Sequence, residues 1–283
     1  MLEQITAACT EHGEGPIWDL VQGQLVFVDM HRGDLLVLDA VGNDPVRHHV
    51  SEVAACVVPR RGGGLALAVE RGLALLDDDW KSEELPELWP DATVRMNDGA
   101  CDPAGRFFVG SMAYDESPGK GSLWCFDHSL NASVAIGGVT ISNGLGWSPD
   151  GGTAYFVDSP TQRIDAMDYD QVTGSFSERR KLVEIPAALG MPDGLTVDAE
   201  GGIWVALWGG GALHRYDAHG TQTDNFPVPT LHPTSCAFGG DALNQFFVTT
   251  STAGMNPSDD QSAGALFWMH ADFQGLPCAT FDG

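Results

Sequence analysis

The feature that most constrains this chain is a repeat. Short apolar segments recur in pairs, joined by a polar turn containing glycine, and a third apolar segment follows that ends near an aspartate. The clearest copies span residues 99–110, 144–158 and 194–206, with a weaker one at 15–29. Their third segments fall at 35–39, 123–127, 164–170 and 213–217. Two degenerate copies, 55–77 and 235–268, complete the set. The turns lie near residues 21, 60, 104, 150, 199 and 240, spaced by about 39, 44, 46, 49 and 41. Units of this length holding several short strands are the mark of propeller blades. Six of them at about 47 residues account for all 283 positions. The expectation is an all-β, six-bladed β-propeller forming a single domain over 1–283, with its functional site in a central metal-binding channel. Helical signal is confined to 185–189.

Composition supports a packed fold and narrows the partners. Hydrophobic residues make up 43% of the chain, enough for a substantial core. Lys and Arg number 14 against 39 Asp and Glu, a formal net charge of −25. A nucleic-acid partner needs a basic footprint, so none is expected, nor is an anionic membrane. No apolar run approaches the roughly 18 residues of a membrane span. The start, 1–10, has neither a basic region nor an apolar one of the secretory kind, so the expected location is cytoplasmic. The six cysteines (Cys9, Cys56, Cys101, Cys125, Cys236, Cys278) form no CxxC pair and read as free thiols.

The phase of the repeat collects polar residues. In a four-stranded meander, the segment before strand one and the loop between strands two and three share an end of the propeller, and the first strands line its axis. Just before the first strands stand Glu14-Gly15, Arg95-Met96-Asn97-Asp98-Gly99, Asn143-Gly144 and Asp193-Gly194. Asn-Gly and Asp-Gly also form ordinary turns. Three such positions in phase on one axis, however, bring Glu14, Asn143 and Asp193 together. Two carboxylates and an amide oxygen are hard donors, suited to one divalent ion among Ca²⁺, Mg²⁺, Mn²⁺, Fe²⁺ or Zn²⁺. Without a cation the two acids would repel, and one would keep its proton. In the third blade either Asn97 or Asp98 can face the mouth; Asn97 is favoured because Asp98 can cap its own turn. Arg95 points the same way and is a fixed cation for carbonyl or hydroxyl oxygens. The long 112–121 loop, with Tyr114, Asp115 and Glu116, reads as a lid or substrate wall, and 253–264 is a second, more polar loop. Asp158 and Trp208 end second strands at this same face.

These segments, 14–19, 95–106, 142–150 and 191–194, resemble the SMP-30/gluconolactonase/regucalcin-like family in their motifs and in their order along nearly the whole chain. The resemblance implies a six-bladed propeller with one divalent metal held by Glu14, Asn143 and Asp193. It implies substrate contacts from Arg95 and Asn97, and a further acidic contact at Asp115, with Glu116 as competitor. The implied substrate is a small-molecule sugar lactone such as glucono-, xylono- or arabinonolactone, with Asp193 as general base for the attacking water. The chain has no Gly-x-Ser-x-Gly, His-Glu-x-x-His or phosphate-cradling loop, so other hydrolase and nucleotide chemistries are not indicated. The rival readings are a metal-dependent esterase or phosphotriesterase on the same frame and a non-enzymatic calcium-binding protein. A monomer or weak homo-oligomer is expected.

Overall fold

In the computed structural model, which describes residues 1–256 and 259–283, six four-stranded antiparallel sheets surround one axis. The protein is all-β, a six-bladed propeller. Blade 1 runs through Gly13–Asp19, Gln24–Asp29, Asp34–Leu38 and Val46–His49, and each later blade repeats this inside-to-outside meander. The first strands of blades 2 to 6 are Ala54–Pro59, Val94–Cys101, Ser142–Trp147, Met191–Val197 and Pro233–Gly239. They pack side by side in a ring, with blade 6 against blade 1. Helical structure among the described residues is limited to three 3-10 turns, one of them Ala187–Leu189 where the sequence suggested a turn of helix.

Ring closure is a feature the repeat does not announce. The outermost strand of blade 6 is Glu3–Gln4 from the opposite end of the chain, paired with Phe267–His270. Two residues carry no periodicity, yet they tie the first blade's approach segment to the last sheet.

The inner strands alternate between neighbouring blades, so the core is a set of interblade layers rather than one mass. Trp204 meets Phe226, Phe238 and Phe246 between blades 5 and 6, and Phe108 meets Trp147, Tyr169 and Phe176 between blades 3 and 4. Ring centroids in these groups lie 4.7–6.2 Å apart, the offset and edge-on range that aromatic quadrupoles favour. All six cysteines are free, as expected.

Every first strand carries the same irregularity. Pairing with the second strand slips between Glu14 and Ile17, Ala54 and Cys56, Met96 and Gly99, Ser142 and Leu145, Pro192 and Leu195, and Pro233 and Ser235. A β-bulge puts an extra residue on one strand and re-aims its side chain. The polar residues read as lying before the strands thus belong to the strands, and the bulge turns them toward the axis. The glycines are required by the close approach that results. A Cβ on Gly144 would stand 2.6 Å from the Asp193 carbonyl oxygen, and one on Gly194 2.3 Å from Ser235 Oγ.

Candidate metal and substrate site

Blades 1, 4 and 5 deliver Glu14, Asn143 and Asp193 to the axis, all buried. Blade 3 has one more polar residue at its bulge. In its register Asn97 occupies the place of Asn143 and Asp193, while Asp98 takes the place filled by Gly144 and Gly194, one step farther along the axis. Asn97 and Asp98 are therefore both inside, at different depths.

Asp98 accepts a hydrogen bond from the Gly99 amide at 2.8 Å, the self-capping foreseen from sequence. It also lies close enough to Glu14 and Asp193 to act on both. Burial pushes Glu14 well above the usual carboxylate range, and the charges of Asp193 and Asp98 push it further. Asp193 is raised well above its ordinary value by burial and by Asp98, against the opposing pull of Asn143 and the Gly194 amide. Burial raises Asp98 itself to about 6. The sequence offered Asn97 and Asp98 as alternatives for the mouth and favoured Asn97; the structure puts both inside.

Two buried oxygens in this group have no hydrogen-bond partner among the described residues: Asn143 Oδ1 and Asp193 Oδ1. Buried acceptors left unpaired are destabilising unless a donor or cation reaches them. The amide is held for that role, because Asn143 Nδ2 donates to Ser159 Oγ at 3.1 Å and so fixes Oδ1 toward the axis. A divalent ion fits this donor set, which supplies two acids to balance it and oxygen atoms only. Among the described residues no three His, Cys, Asp or Glu side chains cluster tightly enough to hold an ion alone. The set depends on the Asn143 amide.

Arg95 is buried beside the acids. Its Nη1 donates to Asn97 Oδ1 at 2.7 Å and to the Met96 carbonyl at 2.8 Å, and Asn97 Nδ2 donates to the Ser142 carbonyl at 3.0 Å. Arg95 and Asn97 form one braced unit whose remaining N–H groups are available to a ligand. Burial pulls the Arg95 guanidinium down, and Tyr114, Glu14 and Glu116 hold it up. Tyr114 covers it, with the guanidinium carbon 5.7 Å from the ring centroid, while the Tyr114 hydroxyl donates to Glu70 Oε1 at 2.7 Å. In the 112–121 loop, Asp115 is exposed and accepts from its own loop's Ser117 amide at 3.1 Å. Glu116 is the acid of that loop whose charge reaches Arg95.

Facing Arg95 is a row of rings that periodicity did not disclose. His12 stacks on His31 at 4.6 Å and tilts against Trp208 at 5.6 Å, and Trp208 stacks on His232 at 4.1 Å. Burial holds His12 well below the usual imidazole value, and His31, Arg95 and His232 add to this. Asp158, by contrast, is structural: its carboxylate accepts the Thr140 and Ile141 amides. Of the polar loop 253–264, positions 257 and 258 lie outside the described residues.

On the axis beyond Asp98 lies a cavity of about 340 Å³, lined by Trp18, Val58, Trp147, Val197 and Phe238 from the first strands and by Leu276 and Cys278 from the C-terminal segment. It is mainly apolar, with Asp98, Thr196 and Ser235 also in its lining, and sits on the far side of Glu14 and Asp193 from Arg95 and the rings.

The chain is similar to known proteins along most of its length. The sequence profile of the SMP-30/Gluconolactonase/LRE-like region matches residues 12–252. The chain is 36% identical over 275 residues to the pentonolactonase XacC of Haloferax volcanii, covering 94% of this chain and 92% of that one. It is 33% identical over 271 residues to the regucalcin of Homo sapiens, covering 90% and 89%. A solved structure of a calcium-binding regucalcin from Agrobacterium tumefaciens superposes with a TM-score of 0.92 at 25% identity, covering 98% of this chain and 96% of that chain.

Proposed function

We propose that this chain, which belongs to the SMP-30/gluconolactonase/LRE-like family, hydrolyses the lactone of a sugar acid with the help of one divalent ion. The observation that carries the reading is the pair of orphaned, buried oxygens on Asn143 and Asp193 beside the buried Glu14 carboxylate. Those three residues would hold the ion, which when bound supplies Lewis-acid polarisation of an ester carbonyl. The pentonolactonase name of one relative supports the substrate class.

The chain's own groups supply the rest. Arg95, braced by Asn97, presents N–H donors to the carbonyl or ring oxygens of the lactone. Asp193 accepts a proton from the attacking water. The hydroxide equivalent adds to the carbonyl carbon, the ring C–O bond breaks, and the proton goes to the departing ring oxygen, so that a hydroxy acid leaves. The ring wall and the loop carrying Tyr114 and Glu116 confine the substrate. Gluconolactone, xylonolactone and arabinonolactone all suit this frame.

The regucalcin relatives support a second reading, calcium binding without catalysis, through the same three ligands. A lactone panel separates the two. Chelator-stripped protein is reloaded in turn with Ca²⁺, Mn²⁺, Zn²⁺, Mg²⁺ and Fe²⁺, and hydrolysis of the three sugar lactones and of a phosphotriester is followed. Hydrolysis of a sugar lactone that disappears with EDTA and returns with metal is expected. Calcium binding with no hydrolysis under any ion would establish the non-catalytic reading instead.

A further inference from the structure

The ring wall contains an imidazole with one nitrogen paired and the other open to the site. His12 Nδ1 lies 2.8 Å from Ser251 Oγ. Ser251 Oγ accepts from the Ala253 amide at 3.0 Å and lies 3.1 Å from the Glu11 carbonyl. Ser251 thus occupies Nδ1, and Nε2 is the remaining polar atom of the ring.

Nε2 is directed to the mouth. It lies 3.7 Å from Glu14 Oε1, too far for a hydrogen bond. A hydroxyl, which both donates and accepts, suits such a gap. Among the described residues Nε2 has no hydrogen-bond partner, and the His12 side chain keeps 13% of its surface open. The ring itself cannot swing away, because it is clamped between His31 and Trp208.

We propose that His12 is the hydroxyl-recognising residue of the substrate site: its Nε2 makes a hydrogen bond with a ring hydroxyl of the lactone, and the neighbouring Trp208 face covers the ring's C–H edge. Arg95 holds the oxygens on the opposite side. This rests on the lactonase reading and sharpens it to polyhydroxylated lactones over bare ones. A pocket of mainly apolar rings with a few placed polar atoms is how small-molecule sites gain orientation. A site built to bond a substrate hydroxyl discriminates strongly against an analogue lacking it, since its own buried partner is then left unpaired. Neither a phosphotriester nor a simple aryl ester offers a hydroxyl to this atom. Ser251 is a positioning residue that holds the ring through Nδ1.

The test uses the metal-loaded full chain with His12→Phe, which keeps the stacked ring and removes both ring nitrogens, and with Ser251→Ala. Substrates are xylonolactone and γ-butyrolactone, the latter without hydroxyls. The non-hydrolysable xylono-1,4-lactam serves as a binding probe by calorimetry. His12→Phe is expected to lower kcat/KM for xylonolactone by roughly 10- to 100-fold and to weaken lactam binding similarly. Its γ-butyrolactone rate should fall much less than its xylonolactone rate, its Mn²⁺ affinity should stay close to wild type, and Ser251→Ala should give a smaller loss of the same kind. Unchanged discrimination between the two lactones and unchanged lactam affinity in His12→Phe would overturn the assignment. An equal loss on both lactones with weakened Mn²⁺ binding would also overturn it, by making His12 part of the metal site. If wild type hydrolyses no lactone yet binds the lactam through His12, the hydrolytic reading fails while the recognition role stands.

Discussion

The two halves of the propeller axis are built from the same six strands and behave oppositely. At the N-terminal ends of the first strands, bulges aim Glu14, Asp98, Asn143 and Asp193 inward, where burial raises the three acids and leaves two oxygens unpaired. At the C-terminal ends the inward residues are Trp18, Val58, Trp147, Val197 and Phe238. There the acids that remain are turn caps. Asp102 accepts the Ala104 and Arg106 amides, and Asp198 accepts those of Glu200 and Gly202. The C-terminal segment crosses this end, joined to Ala199 and Leu243 on one side and to Pro59 and Gly105 on the other. One half thus leaves two acceptors of its acid cluster unpaired, while the other pairs its turn acids and leaves the Trp147 Nε1 donor unpaired. Position along a strand, not blade identity, decides which half a residue serves, and function and stability are separable in this molecule.

The largest expected effect lies in the polar half. Asp193→Asn should reduce kcat by roughly 10²- to 10⁴-fold, the range for loss of a general base, and should also weaken metal binding. Because it removes a buried charge, the same change should leave the metal-free protein as stable as wild type or more so, which chelator melts would show. In the apolar half the balance reverses. Phe281 is fully buried in the C-terminal segment. Phe281→Ala should lower unfolding free energy by about 3–5 kcal/mol in urea titrations, with kcat/KM per folded molecule unchanged. A collapse of activity in that variant at a temperature where it is folded would show that the halves are coupled.

The acids also give a pH signature. Groups raised on folding bind more protons in the native state than in the unfolded one, so native stability falls as pH rises between the two values. In EDTA, Tm should drop as pH climbs from about 4 toward about 6, where Asp98 titrates, and drop further as Glu14 and Asp193 lose protons. Saturating divalent ion should flatten the curve, and Asp98→Asn should remove its lower part. A metal-free Tm that rises across this window would contradict the burial of these acids. The smallest effect concerns the lid. Tyr114→Phe loses the hydrogen bond to Glu70, worth roughly 0.5–1.5 kcal/mol, and should raise KM for the lactone by about tenfold or less with kcat preserved.

The sequence carried the blade count and the Glu14, Asn143 and Asp193 trio because both depend on one period, which the turns display. It left Asn97 and Asp98 in competition because the residue that distinguishes blade 3 sits inside a bulge, and only strand register separates their depths. The row of His31, His12, Trp208 and His232 was only partly legible: the phase put Trp208 at this face, and His12 and His232 each stand just before a first strand, but the stacking across three blades is a matter of side-chain packing that the repeat does not encode. Closure by Glu3–Gln4 and the sealing of the far end by the C-terminal segment escaped for a similar reason: they are contacts between chain ends, made by segments too short or irregular to show a pattern.

The central claim is that three side chains distant in sequence hold one cation. Titration calorimetry of chelator-stripped protein with Mn²⁺ and with Ca²⁺, in wild type and in Asn143→Ala, tests it most directly. One ion per chain is expected for wild type, with a Tm that climbs with metal concentration as binding linkage requires, and with most of both effects lost in the alanine variant. Full-strength binding to Asn143→Ala, or no binding by wild type at millimolar ion, would contradict it.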